Sequence, residues 1–339
     1  MEIKKIIGEN KLDVVFDSLG GKYISDGMKL LNHGGRMVCY GGAELNSAKN
    51  IFSKLIKIFQ FGFYHPGLLM MNSGNPQPTL PCLGSWLTYG QGCETGDLPA
   101  YMVLGHPSGL PTFQEAHFTN GWLPSIYQGT LVRPVEPRIL NLDPARRLAG
   151  TPQERQVGLL KSLNERHLAE HPSEHDLAAR IASYELAARM QVSATEALDI
   201  AAEPEHVRRM YGIDDKETQD YGTRCLIARR LVERGVRFVQ VWSGPQGAVN
   251  NWDTHGNIPK ELPPMAVSVD QPIATLLRDL KSRGLLADTL VVWTTEFGRT
   301  PFAQGSVGRD HNGGTFVTWL AGAGIKPGVS VGQSDEWGY

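Results

Sequence analysis

The 339-residue chain carries 33 Lys and Arg against 35 Asp and Glu, a formal net charge of −2, with 41% hydrophobic residues. That balance excludes the basic footprint of a nucleic-acid or anionic-membrane partner, and no apolar run approaches the roughly 20 residues needed to span a bilayer. The N-terminus, MEIKKIIGENKLDVVFD, lacks a continuous apolar core and a small-residue cleavage site, so the chain reads as cytoplasmic.

In chain order, LDVVFDSLGG predicts a buried strand entering a turn. YISDGMKLLNHGG follows, with Ile24, Met28 and Leu31 at helical spacing and glycines as a stop; RMVCYGG is a second strand and AKNIFSKLIKIFQF a second amphipathic helix. Strand, helix, strand, helix marks a parallel βαβα unit over residues 1–65. Gly41 and Gly42 close its second strand, either as tight-turn glycines or as the edge of a cofactor site. Cys39, Cys82, Cys93 and Cys225 form no C-x-x-C pair and read as free thiols rather than a disulfide framework.

From Gly67 to about Gln128 the chain is rich in Gly, Pro, Asn and aromatic residues, which predicts ordered loop and turn with AYMVLG as a strand. Residues 151–210 are predicted helical. TPQERQVGLLKSLNERHLAEH opens with Thr151 as cap, Pro152 at the first helical position and Glu154 beyond it. SEHDLAARIASYELAARMQ places Leu177, Ile181, Tyr184 and Ala188 on one face. His167, His171 and His175 fall at i, i+4 and i+8, but Pro172 interrupts them and their neighbours are solvating Glu and Arg, so they read as surface histidines.

The last third returns to α/β alternation. YGTRCLIARRLVERG is a helix, VRFVQVW a strand, and VDQPIATLLRDLKSRG a helix with Ile273, Leu276, Leu277 and Leu280 as its buried stripe. TLVVWTT and TFVTWLAG are further strands. In open parallel sheets chemistry gathers beyond the carboxyl ends of strands, and two such ends here deliver WDTH and EFGR, with GRDHNGG following. Asp253, His255, Glu296, Asp310 and His311 are therefore the candidate metal ligands. Mixed carboxylate and imidazole donors suit a divalent ion such as Zn²⁺, Mn²⁺, Mg²⁺ or Ca²⁺. The same spacing also suits ion-paired loop residues. Arg299 is the candidate for holding an oxyanion through its guanidinium fork.

Two resemblances add to this. DVVFDSLGG and LLNHGGRMVCYGG resemble part of the nucleotide-binding domain of medium-chain dehydrogenase/reductases of quinone-oxidoreductase type. That likeness implies NADPH, but no G-x-G-x-x-G phosphate turn stands upstream, so an oxidoreductase is rejected as the main function. From about residue 66 to 339, the motifs YHPGLLMMNSGNPQPTLPCLGSWLTYG, GWLPSIYQGT, RRLVERGVRFVQVW, WDTHG, DTLVVWTTEFGRTP and GRDHNGGTFVTWLAGAGIKPGV resemble an uncharacterised sulfatase-like family of the alkaline phosphatase superfamily.

The second resemblance implies an α/β fold with a mainly parallel sheet flanked by helices. It implies a metal-dependent hydrolase of small-molecule or glycan phosphate or sulfate esters, with exported relatives. Glu296 takes a superfamily metal-acid position, and the neighbouring position, often His, is Phe297. Asp253 and His255 serve from the loop after VRFVQVW at a spacing tighter than usual, and His311 matches the late histidine, with Asp310 as ligand or orienter. The nucleophile strand belongs upstream of residue 66, where dehydrogenase-like sequence stands instead, so turnover is expected to be impaired. A non-catalytic metal- or partner-binding chain is the alternative. On this reading FGFYHPGLLMMNSG is a seam between a dehydrogenase fragment, 1–65, and a hydrolase domain, 66–339.

Overall fold

The computed structural model describes residues 12–17 and 31–39 as backbone, and residues 66–111, 113–140, 142, 151–172, 174–244 and 251–338; the side chains of residues 66, 151–154, 175 and 192 lie outside that description. The chain divides into two units, Met1–Leu68 and Leu69–Tyr339. In the first, β1 (Leu12–Asp17) pairs in parallel with β2 (Leu31–Cys39). Leu31 belongs to the strand rather than to the preceding helix: it pairs with Leu12, and the register then jumps so that Val14 meets Arg36. The two glycines of NHGG lie inside the jump, where an irregular ladder tolerates them. The predicted helices of this unit, and Gly41 and Gly42, lie outside the described residues.

The second unit is built on a three-stranded parallel sheet in the order β4 (Thr130–Val132), β3 (Tyr101–Leu104), β5 (Phe238–Val241). The central strand is buried along its whole length, as expected of a parallel strand covered on both faces. Its side chains alternate between two cores. Met102 and Leu104 join Met190, Ala194, Ala197, Ile227, Ala228 and Leu231, from helices α4 (His175–Leu198) and α6 (Gln219–Glu233). Tyr101 and Val103 join Phe118, with Leu131, Phe238 and Trp242 packed against them. The molecule is thus mixed α/β, as the alternating pattern predicts. Among the described residues no helix is long and apolar enough to cross a membrane.

Several elements differ from the sequence reading. The stretch predicted as loop contains two helices, α1 (Pro66–Ser73) and α2 (Leu83–Gln91). Glycine, normally a helix-weakening residue, is used in α2 for close approach: a Cβ at Gly84 would lie 2.6 Å from ring atoms of Tyr101 and Phe238. Two helices follow before the sheet resumes, α3 (Thr151–Glu170) ahead of α4 and the short α5 (Glu205–Met210) behind it. On α4 the buried stripe runs through Met190, Ala194 and Ala197, whereas Tyr184 is 74% exposed.

Helix α7 (Ile258–Ser282) starts eleven residues ahead of the predicted Val269, with Pro263, Pro264 and Pro272 inside it. Its start is fixed by Asn257, whose Oδ1 accepts from Lys260 N, while Glu261 Oε1 accepts from Asn257 N. That reciprocal cap outweighs the breaker signal of the prolines. Finally, β6 (Val291–Thr294) does not extend the parallel sheet. It pairs antiparallel with β9 (Thr318–Ala321), and Val292 and Trp293 are about half exposed. A short continuous apolar run reads as a buried strand, but periodicity alone does not specify its partner.

Candidate metal centre

The site grows from the end of β5. Beyond it, Trp252 packs against the cluster of Val207, Tyr211, Cys225, Leu226 and Val269, anchoring the loop before it reaches Asp253. Thr254 is buried at 4% exposure. Asp253 and His255, one residue to either side, send their functional atoms to a common point: Asp253 Oδ1 lies 2.8 Å from His255 Nε2. The tight Asp-x-His spacing puts both groups together through a turn in which His255 N donates to the Asp253 carbonyl at 3.2 Å.

The third group arrives on a two-stranded ribbon. β7 (Gly298–Arg299) pairs antiparallel with β8 (His311–Asn312), setting Arg299 directly opposite His311. His311 Nε2 lies 2.8 Å from Asp253 Oδ1 and 3.0 Å from His255 Nε2. Arg299 Nη2 donates to the same Asp253 oxygen at 2.5 Å and to the Trp252 carbonyl at 3.3 Å, and Nη1 donates to the Arg309 carbonyl. Its fork therefore holds Asp253 in place. Asp253 is kept ionised: burial pushes its carboxyl up, but hydrogen bonds from His255 and His311, the positive charge of His311 and the Arg299 contact hold it far below the usual carboxylate range. The bond to Asp253 in turn raises the His255 pKa, against the opposing effect of burial.

Three donor atoms 2.8, 2.8 and 3.0 Å apart form a triangle of metal-ligand size. Ligands about 2.1 Å from one ion stand roughly 3.0 Å apart when the angle between them is near 90°, and roughly 3.4 Å apart in a tetrahedron. The carboxylate-and-two-imidazole set suits a divalent ion of borderline softness. The side chains of Asp253, His255 and His311 are each about one-third exposed, so the triangle opens to solvent. The donors present fit such an ion.

Of the five sequence-predicted ligands, these three converge. Glu296 is not part of the group; its Oε2 accepts from Thr295 Oγ1 at 2.8 Å. Asp310 stands behind the triangle: its Oδ1 accepts from His311 N at 2.8 Å and lies 4.0 Å from His255 Nδ1. Sequence reasoning missed Gln304, whose Oε1 lies 2.6 Å from His255 Nδ1. It also missed the contact of Phe297 with the His311 ring, centroids 4.3 Å apart and planes tilted by 40°. An aromatic wall and an amide carry no ligand signature, so only the folded loop could reveal them. A second group of donors is formed by the exposed His167 and Glu170 of α3 and the partly buried His171 just beyond it, with His171 Nδ1 2.9 Å from the His167 carbonyl.

A family model described as "Protein of unknown function (DUF1501)" matches residues 58–339. The chain belongs to the DUF1501 family. This corrects both resemblances drawn from the sequence. The strand–glycine–helix–strand order that suggested a dehydrogenase is common to parallel α/β units and does not specify a family. The acid and histidine loops that suggested a sulfatase-like protein specify a donor set, not a lineage. The DUF1501 match also runs through His65 and Pro66, so the stretch read as a seam lies inside one family's sequence. No curated protein and no solved structure matches the chain.

Proposed function

We propose that this DUF1501 chain binds one divalent cation through Asp253 Oδ1, His255 Nε2 and His311 Nε2 and uses it for hydrolysis of an anionic ester, a phosphate or sulfate monoester being the simplest class. The observation that carries the reading is the triangle of three donors on two separate loops, each within 3.0 Å of the others. Ion pairing with Asp253 accounts for each imidazole singly, and the approach of the two imidazoles to each other at 3.0 Å is what a shared ion adds. Two imidazole Nε2 atoms 3.0 Å apart repel if both carry a proton, and a shared cation that takes the place of both protons removes that repulsion. Structural sites are closed by four protein ligands, whereas catalytic ones keep positions free. Three partly exposed ligands favour the catalytic kind.

When bound, such an ion supplies Lewis acidity and a water molecule acidic enough to give a nucleophile near neutral pH. The chain's own groups have separate tasks. Arg299 holds Asp253 ionised and aimed at the triangle, and Phe297 packs against the His311 ring.

The test is hydrolysis of nitrophenyl phosphate and nitrophenyl sulfate by the purified chain with Zn²⁺, Mn²⁺, Mg²⁺ or Ca²⁺ added singly. Metal-dependent turnover that disappears in Asp253→Ala and His311→Ala supports the proposal. Tight metal binding without turnover of either ester removes its hydrolytic half and leaves a binding protein.

A further inference from the structure

The loop that follows β7 makes two contacts with His255 that the donor triangle does not require. Gln304 and Gly308 close it with a pair of backbone hydrogen bonds, Gln304 N to Gly308 O at 3.0 Å and Gly308 N to Gln304 O at 3.1 Å. The closed loop lies directly against the ligand strand. A Cβ added at Gly308 would stand 1.7 Å from the His255 carbonyl oxygen, a spacing only glycine allows. Arg309 N donates to the Thr254 carbonyl at 3.4 Å, and Val307 bridges to Asn257. The loop is thus fixed on both sides of His255, and from it Gln304 presents Oε1 to His255 Nδ1 at 2.6 Å. The alternative acceptor, Asp310 Oδ1, is 4.0 Å from Nδ1, beyond hydrogen-bond reach.

We infer that Gln304 is the positioning residue of the metal centre, holding the proton on His255 Nδ1 so that Nε2 is the nitrogen offered to a cation. The inference rests on the proposed metal-binding reading. An amide oxygen only accepts, so Nδ1 must be the donor. The ring is then turned with Nε2 toward Asp253 and His311, which leaves Nε2 as the nitrogen offered to an ion. Imidazole ligands generally have their second nitrogen held in this way, and loss of the partner typically weakens metal binding about 10–100-fold. Gln304 touches neither the donor atoms nor the space they enclose, so it acts through His255.

The experiment compares Zn²⁺ binding by calorimetry in the full chain and its Gln304→Met, Gln304→Glu and Asp253→Ala variants, together with the imidazole N–H proton signals of the metal-free proteins. Gln304→Met keeps the side-chain length without the acceptor and is expected to weaken Zn²⁺ about 10–100-fold. The hydrogen-bonded His255 Nδ1–H signal should vanish with it. Gln304→Glu keeps an acceptor and is expected to restore both, which a merely structural role would not require. Wild-type affinity or a retained Nδ1–H signal in Gln304→Met overturns the positioning role. Wild-type affinity in Asp253→Ala overturns instead the metal centre on which that role depends.

Discussion

Arg229 offers a stringent test of how the second unit is held together. Its side chain is 1% exposed and meets three carboxylates. Nη1 pairs with Glu233 at 2.7 Å, Nη2 faces Glu203 at 2.8 Å and Nε faces Asp279 at 3.1 Å. Arg229→Met fills similar volume and removes only the charge and donors. Breaking one side of a buried pair costs about 3–5 kcal/mol, because the remaining charge is left uncompensated. Here the orphaned carboxylates keep second partners: Glu203 retains Arg230, and Asp279 retains Arg283 and the Tyr211 hydroxyl. The loss should therefore fall at the low end, about 3 kcal/mol. The contrast is Arg209→Met, whose pair with Glu205 is about two-thirds exposed on both sides and should cost about 0.3–0.5 kcal/mol. Urea unfolding followed by circular dichroism measures both. Equal small losses in the two variants would refute the idea that the buried network holds α6, α7 and the Glu203 turn together.

The same network predicts the acid response. Burial alone would raise the Glu203 pKa, but its bonds to Arg229 and Arg230 prevail and lower it. A folded-state pKa below the unfolded one contributes stability that is present above the unfolded value and is lost as pH falls through the folded value. Unfolding free energy should thus decline below about pH 4.5, and Glu203→Gln should flatten that decline; an unchanged slope would count against it. Gly84→Ala forces a methyl group to within 2.6 Å of Tyr101 and Phe238 and should cost about 1–3 kcal/mol by overpacking; a melting curve like that of the parent would show that α2 moves freely on the sheet. Burial pushes the Cys82 thiol up to about 11 and the Cys225 thiol up to about 12. A thiol reagent at pH 8 should therefore modify both slowly, and peptide mapping that finds either labelled as fast as Cys93 would contradict their burial.

The α/β class and the central strand were legible in the sequence because a short apolar run in AYMVLG between Gly- and Pro-rich stretches has few other readings. Of the candidate ligands, the sequence offered residue types and neighbouring glycines, and the structure brings Asp253, His255 and His311 together. Glu296 offers the same ligand type but is not part of the group, a difference that no local pattern encodes. Helix α2 was hidden because it holds two glycines, of which Gly84 is there for packing against Tyr101 and Phe238, and glycine in sequence argues for a turn. The start of α7 was hidden because the asparagine cap competes with three prolines, and only their relative strengths decide. Gln304 was illegible for a simpler reason: its role exists only once residues 49 apart in sequence are brought together.

The central claim is most directly tested by counting bound ions. Equilibrium dialysis of the full chain against Zn²⁺ and Mn²⁺, with His167→Ala introduced so that the group of His167, Glu170 and His171 does not contribute, should give one ion per chain. That ion should be lost in both Asp253→Ala and His311→Ala and retained in Glu296→Ala. Retention in the first two variants, or loss only in the third, would contradict the centre formed by Asp253, His255 and His311.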